Sequence, residues 1–130
     1  TSFDPTEIDK NDWLSFEKWV AQRARDTRQW TPNETPRTGD GGCDIMLTHR
    51  ERTEKVIVQA KHTENIDQSM PKNALLEALE AKQRYGDPKA RLVVITNARK
   101  FNGPAEKLAQ ENDIVLVCRE GLSLWPTHIV

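Results

Sequence analysis

The sequence predicts a three-layer α/β/α sandwich around a mixed β-sheet, and three observations predict it. Residues 43–49 and 55–63 alternate like strands across a polar turn at 50–54, which makes a hairpin and so antiparallel pairing. Towards the C-terminus, strand-like and helix-like stretches alternate, which favours parallel strands joined by crossover helices. Between them, ARLVVITN at 90–97 is an apolar run of strand length and calls for cover on both faces. A chain of 130 residues fits one domain, long enough to build a core without disulfide staples.

Taken in order, residues 1–10 read as a linker and 11–130 as the domain. Asn11 or Asp12 can cap a helix running to about Arg28. Trp13, Phe16, Trp19, Val20, Ala21 and Ala24 make one broad apolar stripe on it. WTPNETPRTGDGG at 30–42 holds prolines and glycines and is mostly loop, with room for a weak strand near 30–34. Residues 71–85 form a helix with Leu75, Ala78, Leu79 and Lys82 on one side, ended by Gly86. Pro104 suits the first turn of another helix running to about Asn112. DIVLVCR is a last strand, and EGLSLW can close the chain as a short helix.

Composition excludes several classes. The net charge is -1, so any nucleic-acid surface must be local. Two cysteines, Cys43 and Cys118, make neither a disulfide framework nor a zinc pattern, and imply a reducing, cytoplasmic setting. No apolar run approaches about 18 residues, so neither a membrane span nor a signal peptide is expected. The chain does not begin with Met, which implies a piece of something longer.

The chemistry concentrates in TGDGGCDIMLTHRERTEKVIVQAKH, residues 38–62. On strands, alternate residues share a face. Val56, Val58 and Ala60 face one core with Cys43, Ile45 and Leu47. Ile57, Gln59 and Lys61 face the other way, on the side of Asp44 and Met46. Hairpin pairing then brings an acid, an amide and an amine together. Mg²⁺ is a hard cation that takes oxygen ligands. Asp44 can supply one, the Gln59 amide another and the Ala60 carbonyl a third, while Lys61 can orient water or stabilise charge on a phosphate. Each part alone has a bland reading: a strand-start acid, a solvated strand face, a glycine turn. The shared face and register weaken those readings together. Glu17 falls inside the apolar stripe of the first helix, where an unpaired carboxylate is costly. It faces the site, or else reaches water or a core arginine. Asp40 is read as shaping the turn. His62 points away from Lys61 and is not catalytic. Trp30 and Trp125 are packing residues.

The helix glutamate, TGDGGCDI and VIVQAKH together resemble the Mrr-type restriction endonuclease domain of the PD-(D/E)xK nuclease superfamily, in a QxK variant. VVITNARKFNGPAEKLAQENDIVLV and the Gly-Leu pair of EGLSLW resemble that family's C-terminal half. The resemblance implies a restriction-endonuclease-like fold and Mg²⁺-dependent hydrolysis of DNA, with Mn²⁺ able to substitute. It matches Asp44 to the metal-binding aspartate, Gln59 to the second acid, Lys61 to the catalytic lysine and Glu17 to the helix glutamate. Gln59 stands where many superfamily members carry Asp or Glu, so weaker metal affinity is expected. Arg37, Lys72, Arg99 and Lys100, with His62 nearby, are candidates to hold DNA phosphates. The resemblance also implies a restriction or antiviral defence role and a fused sensor, ATPase or DNA-recognition domain; cutting both strands would need two sites, which points to a homodimer or higher oligomer. A non-catalytic nucleic-acid-binding or regulatory module of the same fold is the alternative.

Overall fold

The computed structural model describes residues 4–10, 12–34 and 43–129, the side chains of 34, 43 and 44 excepted. Caps define its helices. Asp4 accepts from the Thr6 amide and opens α1, Pro5–Asp9. Asp12 accepts from the Ser15 amide at 2.8 Å and opens α2, Trp13–Asp26. The third helix, α3, spans Asn73–Tyr85 and ends at Gly86, whose φ of 68° is the left-handed conformation glycine adopts without strain. Asn102 caps α4, Gly103–Asn112, with Pro104 in its first turn.

The strands are β1, Trp30–Glu34; β2, Cys43–His49; β3, Lys55–Lys61; β4, Arg91–Thr96; and β5, Ile114–Val117. They form one sheet in the order β1-β2-β3-β4-β5. The first two pairings are antiparallel and the last two parallel, as the hairpin and the crossovers require. Residues 30–34 do form an edge strand, with Trp30 opposite His49.

Strand alternation divides the apolar residues into two cores. Ile45, Leu47, Val56, Val58, Ala60, Val93 and Ile95 face α2, with Phe16, Val20, Ala21 and Ala24 packed on them. Ile57, Leu92 and Val94 face α3 and α4, which contribute Ala74, Leu75, Ala78, Ala81, Ala105 and Ala109. The β4 strand feeds both cores, as its unbroken apolar run predicts. Trp30 and Trp125 are buried packing residues, whereas Trp13, expected on the α2 stripe, is exposed.

Residues 5–9, expected in a linker, are helical and docked. Ile8 joins the first core. Asp9 receives two bonds of 2.7 Å from the Arg119 guanidinium and a third from Asn97 Nδ2 at 3.1 Å. The partners lie about a hundred positions away, so nothing local in the sequence marks the contact.

EGLSLW lies within a 3₁₀ helix, Arg119–Leu124, and its tail, which packs Leu122 and Trp125 into the first core. At Gly121 an added Cβ would meet His128 Nε2 at 3.1 Å and Val117 Cγ1 at 3.2 Å. Gly121→Ala is therefore expected to destabilise by about 1 kcal/mol through overpacking. A thermal melt checks it: an unchanged midpoint would mean that the His128 ring yields freely.

Candidate active site

The candidate site grows out of the end of β3. Gln59 and Lys61 are two residues apart, so both side chains leave the sheet on the face of Ile57, towards α3. Gln59 is 2 % exposed and Lys61 partly buried. Above them α3 presents Glu77. Its Oε2 lies 2.5 Å from Lys61 Nζ and accepts from Gln59 Nε2 at 3.1 Å.

One carboxylate oxygen thus fixes two side chains. Because the Gln59 NH₂ group is turned to Glu77, its Oε1 is turned away, and that buried oxygen has no hydrogen-bond partner among the described residues. A buried carbonyl oxygen left in this state costs on the order of 1–3 kcal/mol. It calls for a donor or a cation.

Asp44 stands directly opposite Gln59 in the β2–β3 ladder, and Cys43 opposite Ala60. The Asp44 side chain, Arg37, Asp40 and the rest of GDGG lie outside the described residues. Among the described residues, no group of three or more His, Cys, Asp or Glu side chains is placed to hold a metal.

Glu17 is buried, at 4 % exposure, on α2. It is engaged in an interaction of its own. Its helix packs on the opposite face of the sheet, over Val56, Val58 and Ala60. Among the described residues, the carboxylate paired with Lys61 is Glu77.

Sequence reasoning missed Glu77, although the signal was available. Ala74, Glu77, Ala78 and Ala81 sit at i, i+3, i+4 and i+7, so Glu77 is an acid on a buried helical stripe. The same argument singled out Glu17.

The segment that follows Lys61 is tied in place. Asn97, fully buried, accepts from the Thr63 amide at 2.8 Å and donates to the Thr63 carbonyl at 2.9 Å. This pins the chain just beyond Lys61 to the end of β4. His62 turns to the other face, with Nε2 2.9 Å from the Ile8 carbonyl oxygen and its ring beside Phe16.

The described DNA-contact candidates lie at this end of the sheet. Lys72 precedes α3 and Lys100 follows β4. Met70, flanked by their two loops, donates to the Lys100 carbonyl at 2.9 Å and accepts from Asn102. Lys72 and Lys100 are exposed. Arg99 is exposed as well but already pairs with Asp67 at 2.7 Å.

Gln59, buried, and Lys61, partly buried, thus stand two residues apart at the end of β3, with Gln59 opposite Asp44 in the ladder. The Mrr_cat restriction endonuclease family matches residues 8–125, nearly the whole chain. The chain belongs to that family.

Two solved structures share the Mrr_cat domain's fold. One is EndoMS in its apo form, with a TM-score of 0.60 and 9 % identity, over 84 % of this chain and 46 % of that one. The other is a repair endonuclease from Pyrococcus abyssi, with a TM-score of 0.57 and 11 % identity, over 91 % of this chain and 48 % of that one. The chain spans just under half the length of either. No curated protein matches it. No helix among the described residues is long and apolar enough to cross a membrane.

Proposed function

We propose that this Mrr_cat domain is a Mg²⁺-dependent endodeoxyribonuclease, the cutting part of a restriction or antiviral defence protein. One observation carries the reading: Glu77 fixes Lys61 and Gln59 together and leaves the Gln59 Oε1 buried and, among the described residues, unpartnered, with Gln59 in register with Asp44. Family membership supports a nuclease.

The donor set fits a divalent ion. Asp44, the Gln59 Oε1 and the Ala60 carbonyl are hard oxygen donors, and Mg²⁺ accepts few protein ligands while keeping waters. Mn²⁺ would substitute at such a site. The ion, when bound, supplies an acidified water and a contact to a phosphate oxygen.

This chain's residues do the rest. Asp44 contributes the negative charge. Gln59 contributes a neutral oxygen, so the site has one charge fewer than an Asp or Glu there would give. Lys61 donates to the phosphate or to the attacking water. Glu77 holds Lys61 and aims the Gln59 amide, which makes it a positioning residue. Glu17 contributes from the other layer, at the place the family gives its helix glutamate. Lys72, Lys100, Arg37 and Arg99 hold backbone phosphates, Arg99 after releasing Asp67.

In the whole protein, residues 11–130 with α1 docked beside them are the cutting unit. A fused sensor, ATPase or DNA-recognition domain would direct it in the cytoplasm. Two copies would cut both strands.

The test is plasmid cleavage by this domain with and without Mg²⁺. Cleavage that needs Mg²⁺ and stops in excess EDTA supports the reading; cleavage that persists in EDTA rejects it. Glu77→Ala is expected to slow cleavage by about tenfold, the scale of losing a group that orients ligands. Glu77→Gln keeps an acceptor and should lose less. Equal rates for the wild type and Glu77→Ala would remove Glu77 from the site.

A further inference from the structure

Arg25, Arg28 and Arg50 line an open cleft of ≈ 540 Å³ together with Trp30, Thr31 and Pro32. The cleft lies at the other end of the sheet from the site. Trp30 pairs with His49, and His49 is five residues along β2 from Asp44, about 17 Å at the usual strand rise.

These arginines differ from others in the chain. Arg52, Arg91, Arg99 and Arg119 each pair with a carboxylate. Arg25, Arg28 and Arg50 have no carboxylate partner among the described residues. Asp26, the acid nearest in sequence to two of them, accepts from Gln22 instead. Three like charges gathered without an acid among the described residues repel one another, and a bound anion would relieve that.

Two of the three are tethered through their guanidinium groups. Arg50 Nη1 donates to the Arg28 carbonyl at 3.2 Å, and the Arg50 amide donates to the Gln29 carbonyl at 2.9 Å. Arg25 Nη1 donates to Gln22 Oε1 at 3.2 Å. Arg28 sits in the left-handed region, with φ of 63°, where a β-carbon is disfavoured and the surrounding turn must hold it.

We propose that this cleft binds the phosphodiester backbone of a nucleic acid, as a contact remote from the catalytic end. Guanidinium forks match phosphate oxygens two at a time. An open cleft suits a chain ligand that continues past it, whereas small ligands are bound in pockets that bury most of their surface. The floor favours backbone over base. Trp30 is 2 % exposed and cannot offer its ring for stacking. The inference rests on the reading of the domain as acting on DNA, and it places part of the affinity far from the chemistry. Contacts of this kind give affinity and salt dependence without sequence choice.

The experiment is duplex binding by anisotropy across a salt series, without divalent metal, for the wild type, Arg25→Gln and Arg25→Gln/Arg50→Gln. Each lost phosphate contact lowers the salt slope by about 0.9. The double variant should therefore lose about two units of slope and about tenfold or more in affinity at low salt. Its melting temperature and its cleavage rate at saturating DNA should stay as in the wild type, with KM raised. Unchanged slope and affinity in both variants overturn the cleft. So does tight tripolyphosphate binding that these variants abolish while duplex binding is untouched, since that marks a small-anion pocket. A wild type that binds with the cleft-dependent slope yet never cleaves would sink the nuclease reading and leave the cleft standing.

Discussion

Lys61→Ala should lose at least about 10²-fold in DNA cleavage, the scale of a missing acid–base or positioning group. It should still bind divalent metal, because an ammonium is not a metal ligand. Asp44→Ala should lose metal binding and cleavage together, since it removes the site's proposed charged ligand. The two variants therefore separate under one pair of measurements, calorimetric Mg²⁺ or Mn²⁺ titration and plasmid nicking. Lys61→Ala also takes the ammonium, now 2.5 Å away, from Glu77 Oε2 and leaves it only the Gln59 bond, so the variant's metal affinity should rise slightly rather than fall. Gln59→Glu extends the same logic. It adds a charge opposite Asp44 and should tighten metal binding, whatever its effect on turnover. Nicking by Lys61→Ala at the wild-type rate would falsify the assignment of the site.

Asp9→Ala should be the most damaging change outside the cores. It removes three bonds at once, two from Arg119 and one from Asn97. It leaves Arg119, whose side chain is 12 % exposed, without its carboxylate. Breaking a buried pair from one side costs several kcal/mol; with the Asp9 side chain 26 % exposed, about 2–3 kcal/mol is expected. Denaturant melts at neutral pH measure it.

The pH dependence follows from the same contact. The Arg119 hydrogen bonds hold the Asp9 carboxyl below its ordinary 3.8, against a smaller opposing effect of burial. The folded state thus prefers the ionised acid. That stability is fully present above the unfolded pKa, near 4, and is lost as pH falls through the lowered folded value. Asp9→Asn should flatten this acid limb.

His128 gives a separate limb at higher pH. Burial pushes its imidazole below 6.5, so the folded state prefers it neutral. Its contribution is present above about pH 6.5 and fades as pH falls towards the folded value. A wild-type profile with no loss between neutrality and pH 5 would contradict it.

By itself the sequence determined the sheet and the identity of its key strand. Period-two alternation in 43–49 and 55–63 assigned each residue to a face, and the strand itself stops at Lys61. The structure keeps that assignment wherever side chains are described: Val56, Val58 and Ala60 on one core, Ile57 on the other beside Gln59 and Lys61. Such patterns are legible because neighbours in sequence decide them. Gln59 and Lys61 share a face whatever surrounds the strand, and an unbroken run such as LVVI needs two covering layers in any fold. The caps at Asp12 and Gly86 are local in the same sense.

Only the tertiary structure decided what meets what across layers. The short helix at 5–9 has a weak local pattern, and its place is fixed by Arg119 and Asn97 from the far end of the chain. Glu17 and Glu77 look alike in sequence, each an acid on an apolar helical stripe. Which of them sits beside Lys61 depends on which face of the sheet its helix covers. The sheet separates the two layers, and the crossover that follows β3 puts α3, with Glu77, on the side of Gln59 and Lys61. Handedness and packing of whole elements set that choice, and no spacing along the chain records it.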